Sequence, residues 1–323
     1  MHSALSRSRH ERRATVKVLA ACLALGTCFG TPLALGQSSR DGKASAPAKA
    51  SAANKASATK AAVAPKAGDA IATPAGIPGG VLRWSAPGTR GCREGKRSWK
   101  PLGETCYYPI DLLQRPGTIT LTRVGSSRSE SAKVKIEAFD YGTQEVELPD
   151  IPQRDPSAAD QKRVAREGQL LAKVFQRKDA APQFALPLGP PAKPMAPGKA
   201  FGVNRVFNGK PAPQPHMGTD YLTPAGTPVI AVADGTVALA QDLFHPGNAV
   251  FVDHGDGLVT MSFHLSEIAV QPGQTVKKGE LLGKVGTTGR STGAHLYFGV
   301  RWHNARIDPK WVLEDPAKIP SVR

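Results

Sequence analysis

The sequence predicts a mainly β protein with one linking helix, and three observations support this fold class. Glycine and proline account for 61 of the 323 residues, whereas only 19 residues are aromatic. Short apolar runs alternate with turn residues in two separate parts of the chain. Hydrophobic residues make up 40% of the sequence, which is enough to form cores. This composition argues against a helical bundle or a coiled coil, and the length allows about two domains.

Residues 1–36 have the pattern of an export signal. Five basic residues and one acidic residue lie within the first 17 positions, and a mostly apolar run extends from Val18 to Leu35. The run ends in a small-x-small sequence, Ala34-Leu35-Gly36, which is typical of signal cleavage. A membrane anchor is the alternative, but five Gly, Thr and Pro residues between positions 26 and 32 weaken the run. We therefore expect an exported protein, either periplasmic or secreted.

The route of export stays open. Arg12-Arg13 loosely resembles the start of a twin-arginine signal, which would carry a folded protein. The segment Leu19–Cys22 resembles a lipoprotein box, but too few apolar residues separate it from Lys17.

Removal of residues 1–36 would lower the net charge from +16 to +12 and leave Cys92 and Cys106 as the only cysteines. Two cysteines 14 positions apart in an oxidising compartment predict a disulfide. Half of a metal site is the rival interpretation, but no histidine or further cysteine lies near them in sequence.

Residues 37–75 have the composition of a disordered linker. Fifteen of these 39 residues are alanine, five lysines are spread among them, and prolines interrupt the segment. Because it has no apolar face to bury, we expect it to stay extended and mobile. The lysines would suit contact with an anionic envelope polymer, and a simple solvated spacer is the alternative.

Residues 76–155 predict a small β domain that contains the disulfide. Polar and apolar residues alternate in Gly117–Arg123 and Ala132–Phe139, with a Gly-Ser-Ser turn between them, and Thr143–Leu148 predicts a further strand. No chemically reactive cluster stands out in this domain, which predicts a packing or positioning role.

Residues 156–200 predict a helix followed by a Pro-rich connector. The helix is expected at residues 157–178, because Pro156 stands where helices begin and Val164, Leu171, Val174 and Phe175 share one face. It would link the domains, with its basic face either solvated or against anionic lipid.

Residues 201–323 predict a β-sandwich or barrel-like domain. Short apolar runs recur with Asp-Gly or Pro-Gly turns between them, which is typical of many short strands. The runs begin at Pro228, Gly235, Asn248, Leu258, Leu281 and His295.

All six histidines that follow residue 36 lie in this last domain. His216 and Asp220, four residues apart, could share a metal if Gly218 lets the chain bend. His264 ends one predicted strand, and His295 follows the Gly-rich segment 286–293. Each feature alone is a weak indication of a site.

The order of these motifs is more specific. The chain reads His216-x-Gly-x-Asp220, then Phe263-His264-Leu-Ser, then Thr-Gly-x-Ser-Thr-Gly-x-His295-Leu, with matching glycines between them. Over about residues 200–312 it resembles the lysostaphin/LytM-type peptidoglycan metallopeptidases, and the preceding part resembles exported two-domain members.

The resemblance implies a zinc peptidase site with one Zn²⁺ per chain and peptidoglycan peptides as substrate. His216 and Asp220 match the first two zinc ligands of that family. His264 matches a histidine that holds water or the transition state beside the metal. His295 matches the first histidine of a His-x-His motif, the general base.

Tyr297 departs from the family pattern, because the third zinc ligand is expected at this position as a histidine. Residues 295 and 297 face the same side of a strand, so Tyr297 still points at the site. A phenol, however, titrates near ~10 and must lose its proton to bind zinc well. His303 lies roughly 20 Å further along an extended strand and cannot replace it.

Two functions follow from these residues. The first is a zinc endopeptidase of peptidoglycan cross-links or stem peptides, favoured because four of the five site residues are present. The alternative is a metal-free domain that binds wall material or activates another hydrolase. A nucleic-acid partner is not expected, since export removes that target and no aromatic–basic platform is present.

Overall fold

Two β-sheets, one in each half of the chain, form the framework of this computed structural model. The structure describes residues 75–176 and 180–322. The predicted signal and all but the last residue of the predicted linker lie outside the described residues. The strands are β1 (Ala75–Gly76), β2 (Val81–Ser85), β3 (Thr89–Glu94), β4 (Arg97–Trp99), β5 (Thr105–Pro109), β6 (Gly117–Gly125), β7 (Ser129–Ile136), β8 (Thr143–Val146), β9 (Gly198–Lys199), β10 (Asn204–Phe207), β11 (Lys210–Pro211), β12 (Thr219–Tyr221), β13 (Pro228–Ile230), β14 (Gly235–Leu243), β15 (Gly247–Asp253), β16 (Leu258–Ile268), β17 (Thr275–Val276), β18 (Leu281–Val285), β19 (Leu296–Trp302) and β20 (Ala305–Ile307). The helices are α1 (Ala158–Phe175) and α2 (Lys310–Leu313), and a 3-10 turn covers Pro316–Lys318.

The N-terminal sheet has the strand order β1-β7-β6-β3-β4, and the pair β2-β5 packs against it. The alternating runs predicted as strands form β6 and β7, which pair antiparallel from Gly117↔Ile136 to Val124↔Ser129. A core lies between this sheet and the β2-β5 pair, and it includes Leu82, Trp84, Tyr108 and Leu121. The sulfur atoms of Cys92 on β3 and Cys106 on β5 lie 2.12 Å apart. This contact joins the N-terminal sheet to the β2-β5 pair.

The strand predicted at residues 143–148 forms, as β8, but it does not join the N-terminal sheet. It pairs in parallel with β10, which also pairs with β11. Arg205 stands opposite Gln144 in this register. A segment from the N-terminal half is therefore built into the edge of the C-terminal domain.

The C-terminal sheet follows the order β17-β14-β15-β16-β19-β12-β9, with β13, β18 and β20 attached beside this path. Its central strands β15, β16 and β19 are buried along most of their length, as their continuous apolar runs predict. The mainly β fold class is confirmed.

Helix α1 lies against β14 and its neighbours. Ser157 and Asp160 form a reciprocal capping box at its start, which explains why the helix begins there. Val174 is buried and Phe175 packs edge-on against Phe251. The apolar face that the sequence predicts is thus covered by the C-terminal domain.

The Pro-rich segment predicted as a connector contributes to the C-terminal core. Leu188 and Ala192 are fully or almost fully buried there. The amide of Leu188 donates to the carbonyl of Val312 at 2.8 Å, and Gly189 donates to Val232 at 2.7 Å. From this point the chain is part of the domain rather than a separate spacer.

The C-terminal end returns to the N-terminal sheet. Arg83 exchanges backbone hydrogen bonds with Pro320 and Val322, and Val322 is buried in the N-terminal core. Arg306 forms an ion pair with Asp111 at 2.9 Å. None of the helices within residues 75–176 and 180–322 is long and apolar enough to cross a membrane.

Reduction of the Cys92–Cys106 bond should lower the free energy of unfolding by about 3 kcal/mol, because the bond closes a short loop in the unfolded chain. Urea unfolding with and without a reductant measures this difference. The variant with both cysteines changed to alanine is the control, and reductant should leave its midpoint unchanged. Two titratable thiols in the native, unreduced protein would contradict the pairing.

Candidate metal and catalytic site

Three neighbouring strands bring the five predicted site residues together. Asp220 on β12 stands directly opposite Tyr297 on β19, and Tyr297 stands opposite Phe263 on β16. His264 follows Phe263, His216 precedes β12 and His295 immediately precedes β19. All five predicted residues therefore lie close together, although His264 lies within β16 rather than at the end of a strand as predicted.

Two imidazoles face the Oδ1 atom of Asp220. Nε2 of His216 lies 3.4 Å from Oδ1 of Asp220, and Nε2 of His295 lies 3.6 Å from the same oxygen. The rings of His264 and His295 are adjacent, with centroids 4.7 Å apart. His216 and His295 thus face one carboxylate oxygen, and His264 lies beside His295.

The orientation of each imidazole is fixed by a backbone carbonyl. A carbonyl oxygen only accepts, so the ring nitrogen beside it carries the proton and leaves the lone pair on Nε2. Nδ1 donates from His216 to Ala200 at 3.0 Å, from His264 to Thr288 at 2.8 Å and from His295 to Gly293 at 2.8 Å. A hydrogen bond of this kind is typical of metal-bound and catalytic histidines.

Burial keeps two of these histidines neutral. It lowers the pKa of His216 to about 4 and that of His264 to about 4, and the charge of Asp220 only partly opposes the effect. At neutral pH both side chains therefore offer a lone pair rather than a positive charge.

Backbone strain accompanies the position of His264. Its φ of +62° lies in the left-handed region, which costs a non-glycine residue on the order of 1 kcal/mol. Its amide donates to Pro246 at 2.9 Å, and its ring is held by Thr288. Strain of this kind is concentrated at functional sites.

Asp220 is a buried carboxylate of which only one oxygen has a partner. Oδ2 forms an ion pair with Arg205, whereas Oδ1 is buried without a hydrogen-bond partner. Burial opposes its charge, but His216 and Arg205 together outweigh burial and lower the pKa of the carboxyl group. An unpaired anionic oxygen beside imidazole lone pairs is unfavourable unless a cation lies among them.

A zinc ion suits these two donors, because zinc binds imidazole nitrogen and carboxylate oxygen. His216 Nε2 and Asp220 Oδ1 therefore fit as two ligands of such a site. Within the described ranges, 75–176 and 180–322, no group of three His, Cys, Asp or Glu side chains is arranged to hold a metal. A third protein ligand has to come from another residue type or from a rearrangement.

Tyr297 stands at the position where the resemblance predicts a third ligand. Its ring stacks on Phe263 at 4.5 Å and meets the ring of His216 edge-on at 5.1 Å. Burial and the charge of Asp220 raise the pKa of Tyr297, so the phenol is protonated at neutral pH in the metal-free protein. The hydroxyl is thus a neutral neighbour of His216 until a cation lowers its pKa.

The chain bends at Gly218, as the sequence suggested, although the φ of this residue is not in the left-handed region. Gly218 also has a packing role that the sequence did not indicate. A Cβ on Gly218 would lie 2.7 Å from the hydroxyl oxygen of Tyr297. The glycine therefore leaves room for the tyrosine.

Arg205 is a site residue that sequence reasoning missed. It lies on β10, eleven residues before His216, and its Nε also contacts Oε1 of Gln144 at 3.3 Å. Little in the sequence indicated this role, because Asp220, the partner of Arg205, lies on a different strand, β12.

Two further histidines, His254 and His303, lie outside the site. His254 is held by the carbonyl of Asp234 at 2.7 Å and the hydroxyl of Thr260 at 2.8 Å. His303 stacks on Trp99 of the N-terminal domain at 4.5 Å. Neither can supply the missing ligand in this arrangement.

The model of the family described as "Peptidase family M23" matches residues 214–309. The peptidoglycan DD-endopeptidase ShyA of Vibrio cholerae is 44% identical over 84 residues, which cover 26% of this chain and 20% of that protein. The DD-carboxypeptidase/endopeptidase Mpg of Neisseria gonorrhoeae is 43% identical over 94 residues, covering 29% and 22%. The chain thus spans about a fifth of the length of these curated relatives.

A crystal structure of a putative peptidase M23 from Pseudomonas aeruginosa is similar over a larger part of the chain. It is 30% identical, with a TM-score of 0.56, and the match covers 73% of this chain and 94% of that one. The resemblance predicted from the sequence motifs is therefore confirmed.

The neutral buried histidines predict that stability increases with pH. His216, His245 and His264 each have a pKa of about 4 when folded, chiefly because of burial, against about 6.5 when unfolded. Between these values the unfolded chain binds more protons, so the free energy of unfolding rises with pH and is fully regained above pH ~6.5.

Urea unfolding at several pH values in the presence of a chelator measures this slope. His264→Asn should reduce it by up to about 1.4 kcal/mol per pH unit, since one titrating group is removed and asparagine tolerates a left-handed φ. An unchanged slope would mean that His264 is not kept neutral by the fold.

Proposed function

The chain belongs to peptidase family M23, and we propose that it is an exported zinc endopeptidase that hydrolyses peptide bonds in peptidoglycan cross-links or stem peptides. A metallopeptidase-type role on peptidoglycan is supported by the family and by relatives named as peptidoglycan DD-endopeptidases. The observation that carries the proposal is the unpaired, buried Oδ1 of Asp220 beside His216 and His295.

In this proposal His216 and Asp220 bind one zinc ion per chain, and Tyr297 is the third protein ligand. Bound zinc would act as a Lewis acid that activates water and polarises the scissile carbonyl group. Arg205 holds the second oxygen of Asp220, so the carboxylate keeps its orientation whether or not the metal is present.

His295 and His264 supply the proton chemistry. His295 Nε2 accepts the proton of the attacking water, because its Nδ1 is committed to Gly293. His264, whose ring lies beside that of His295 and whose Nδ1 is committed to Thr288, offers its Nε2 lone pair as an acceptor that helps to hold the attacking water. His264 lies within β16 and His295 directly precedes β19, and the carbonyls of Thr288 and Gly293 hold their rings, which limits their reorientation during the reaction.

Export and the linker complete the proposal. Residues 1–36 direct the chain to the periplasm or the exterior, where peptidoglycan is accessible. The basic segment 37–75 contacts anionic polymers of the envelope, because its five lysines are spread along an uncompensated stretch.

A second function is favoured by Tyr297 itself. A neutral, buried phenol in place of the third ligand is compatible with a metal-free domain that binds wall peptides or activates another hydrolase. In that function Arg205 alone would compensate the charge of Asp220.

Metal analysis and digestion of purified peptidoglycan test the enzyme proposal. The wild-type protein should bind about one zinc per chain and release peptides, and His216→Ala should abolish both. His295→Ala should retain most of the metal but lose about 10²–10⁴-fold in turnover, because a general base does not anchor the ion. A protein that takes up no zinc at neutral pH and leaves peptidoglycan intact would overturn the proposal.

The pair Tyr297→Phe and Tyr297→His identifies the third ligand by zinc titration. If the phenol binds the metal, Tyr297→Phe should weaken zinc binding, whereas Tyr297→His should restore an imidazole ligand and retain it. Equal zinc affinity of the wild type and Tyr297→Phe would remove Tyr297 from the ligand set. Zinc binding by Tyr297→His alone would support the metal-free domain.

A further inference from the structure

Arg290 carries a positive charge that no acidic residue in the described part of the chain balances. Within residues 75–176 and 180–322 its guanidinium takes part in no ion pair, and its main contact is a cation–π interaction. The guanidinium carbon lies 4.4 Å from the centre of the Phe207 ring. Burial and the nearby charge of Arg205 both lower the pKa of Arg290, which is the sign of an uncompensated cation.

This cation lies beside the site described above. Arg205 and Phe207 are two residues apart on β10, so their side chains project from the same face about 7 Å apart along the strand. Arg205 contacts Asp220, and Arg290 covers Phe207. Arg290 also follows Thr288 and Gly289 in the segment that ends at His295, and its amide donates to His245 at 2.8 Å.

The guanidinium of Arg290, stacked on Phe207, is suited to bind a carboxylate. The Phe207 ring holds one face of the planar guanidinium, so its N–H donors remain available along the edges. A guanidinium edge matches a carboxylate, which it can bind through two parallel hydrogen bonds. An anionic group placed there would also relieve the repulsion between Arg205 and Arg290.

We propose that Arg290, stacked on Phe207, binds a carboxylate of the peptide substrate next to the scissile bond. The carboxylate is either the free α-carboxylate of a chain end or the side-chain carboxylate of an acidic residue. This inference rests on the proposed function for the identity of the substrate as a wall peptide. It adds a determinant that selects peptides with a carboxylate near the site over amidated ones.

Binding of synthetic stem peptides to the full-length mature protein tests the proposal without requiring turnover. Calorimetry would compare three peptides: one with all carboxylates free, one with an amidated C-terminus and one with an amidated side-chain carboxylate. The wild type should bind the first about tenfold or more tightly than one of the amidated peptides, as expected for a charge-assisted hydrogen bond. The amidated peptide that binds weakly identifies the source of the carboxylate.

Arg290→Gln should abolish this discrimination, and Arg290→Lys should retain part of it, because lysine keeps the charge but not the fork of donors. Arg90→Gln, an exposed change on β3, is the control and should discriminate like the wild type. Thermal unfolding would verify that each variant is folded.

The proposal is overturned if the wild type binds all three peptides equally or binds none of them. It is also overturned if folded Arg290→Gln still discriminates tenfold. Failure of the enzyme proposal gives a different result, since a domain that cuts no peptidoglycan can still prefer the free carboxylate.

Discussion

The buried carboxylate of Asp220 is the constraint on which the arrangement of the site depends. A charge in this position is costly unless it is paired, and Arg205 pairs only one of its two oxygens. Arg205 in turn lies on β10, whose other edge is occupied by β8 from the N-terminal half. The N-terminal domain therefore helps to hold the residue that orients Asp220, although it contributes no residue of the predicted site.

The surroundings of this carboxylate are arranged before any ligand arrives. Three imidazoles are held by backbone carbonyls with their Nε2 lone pairs free, and His264 adopts a strained backbone conformation to do so. Tyr297 fills the remaining space, and Gly218 makes room for it. The tyrosine at the position where the resemblance predicts a histidine ligand is thus accommodated by packing. Compared with a histidine, Tyr297 places a longer side chain with a protonated hydroxyl group at this position.

The sequence predicted those features that depend on local patterns. The alternation in residues 117–123 and the apolar run after Asn248 identified strands, and Pro156 identified the start of α1. Features that depend on distant partners were not predictable in this way. The pairing of β8 with β10, the burial of Leu188 in the C-terminal core and the contact of Arg205 with Asp220 each join segments separated by many residues. The family resemblance located the histidines, but it gave no indication of what Arg290 contacts.

The central claim is that Asp220 and His216 hold a metal ion while Arg205 keeps the second oxygen of the carboxylate. Crystals of the protein grown with zinc and measured at the zinc absorption edge test it most directly. The account predicts an anomalous peak about 2.0–2.2 Å from His216 Nε2 and Asp220 Oδ1, with the ion pair between Arg205 and Asp220 intact. Absence of a peak at this position, or a carboxylate that leaves Arg205 to bind the metal with both oxygens, would contradict it.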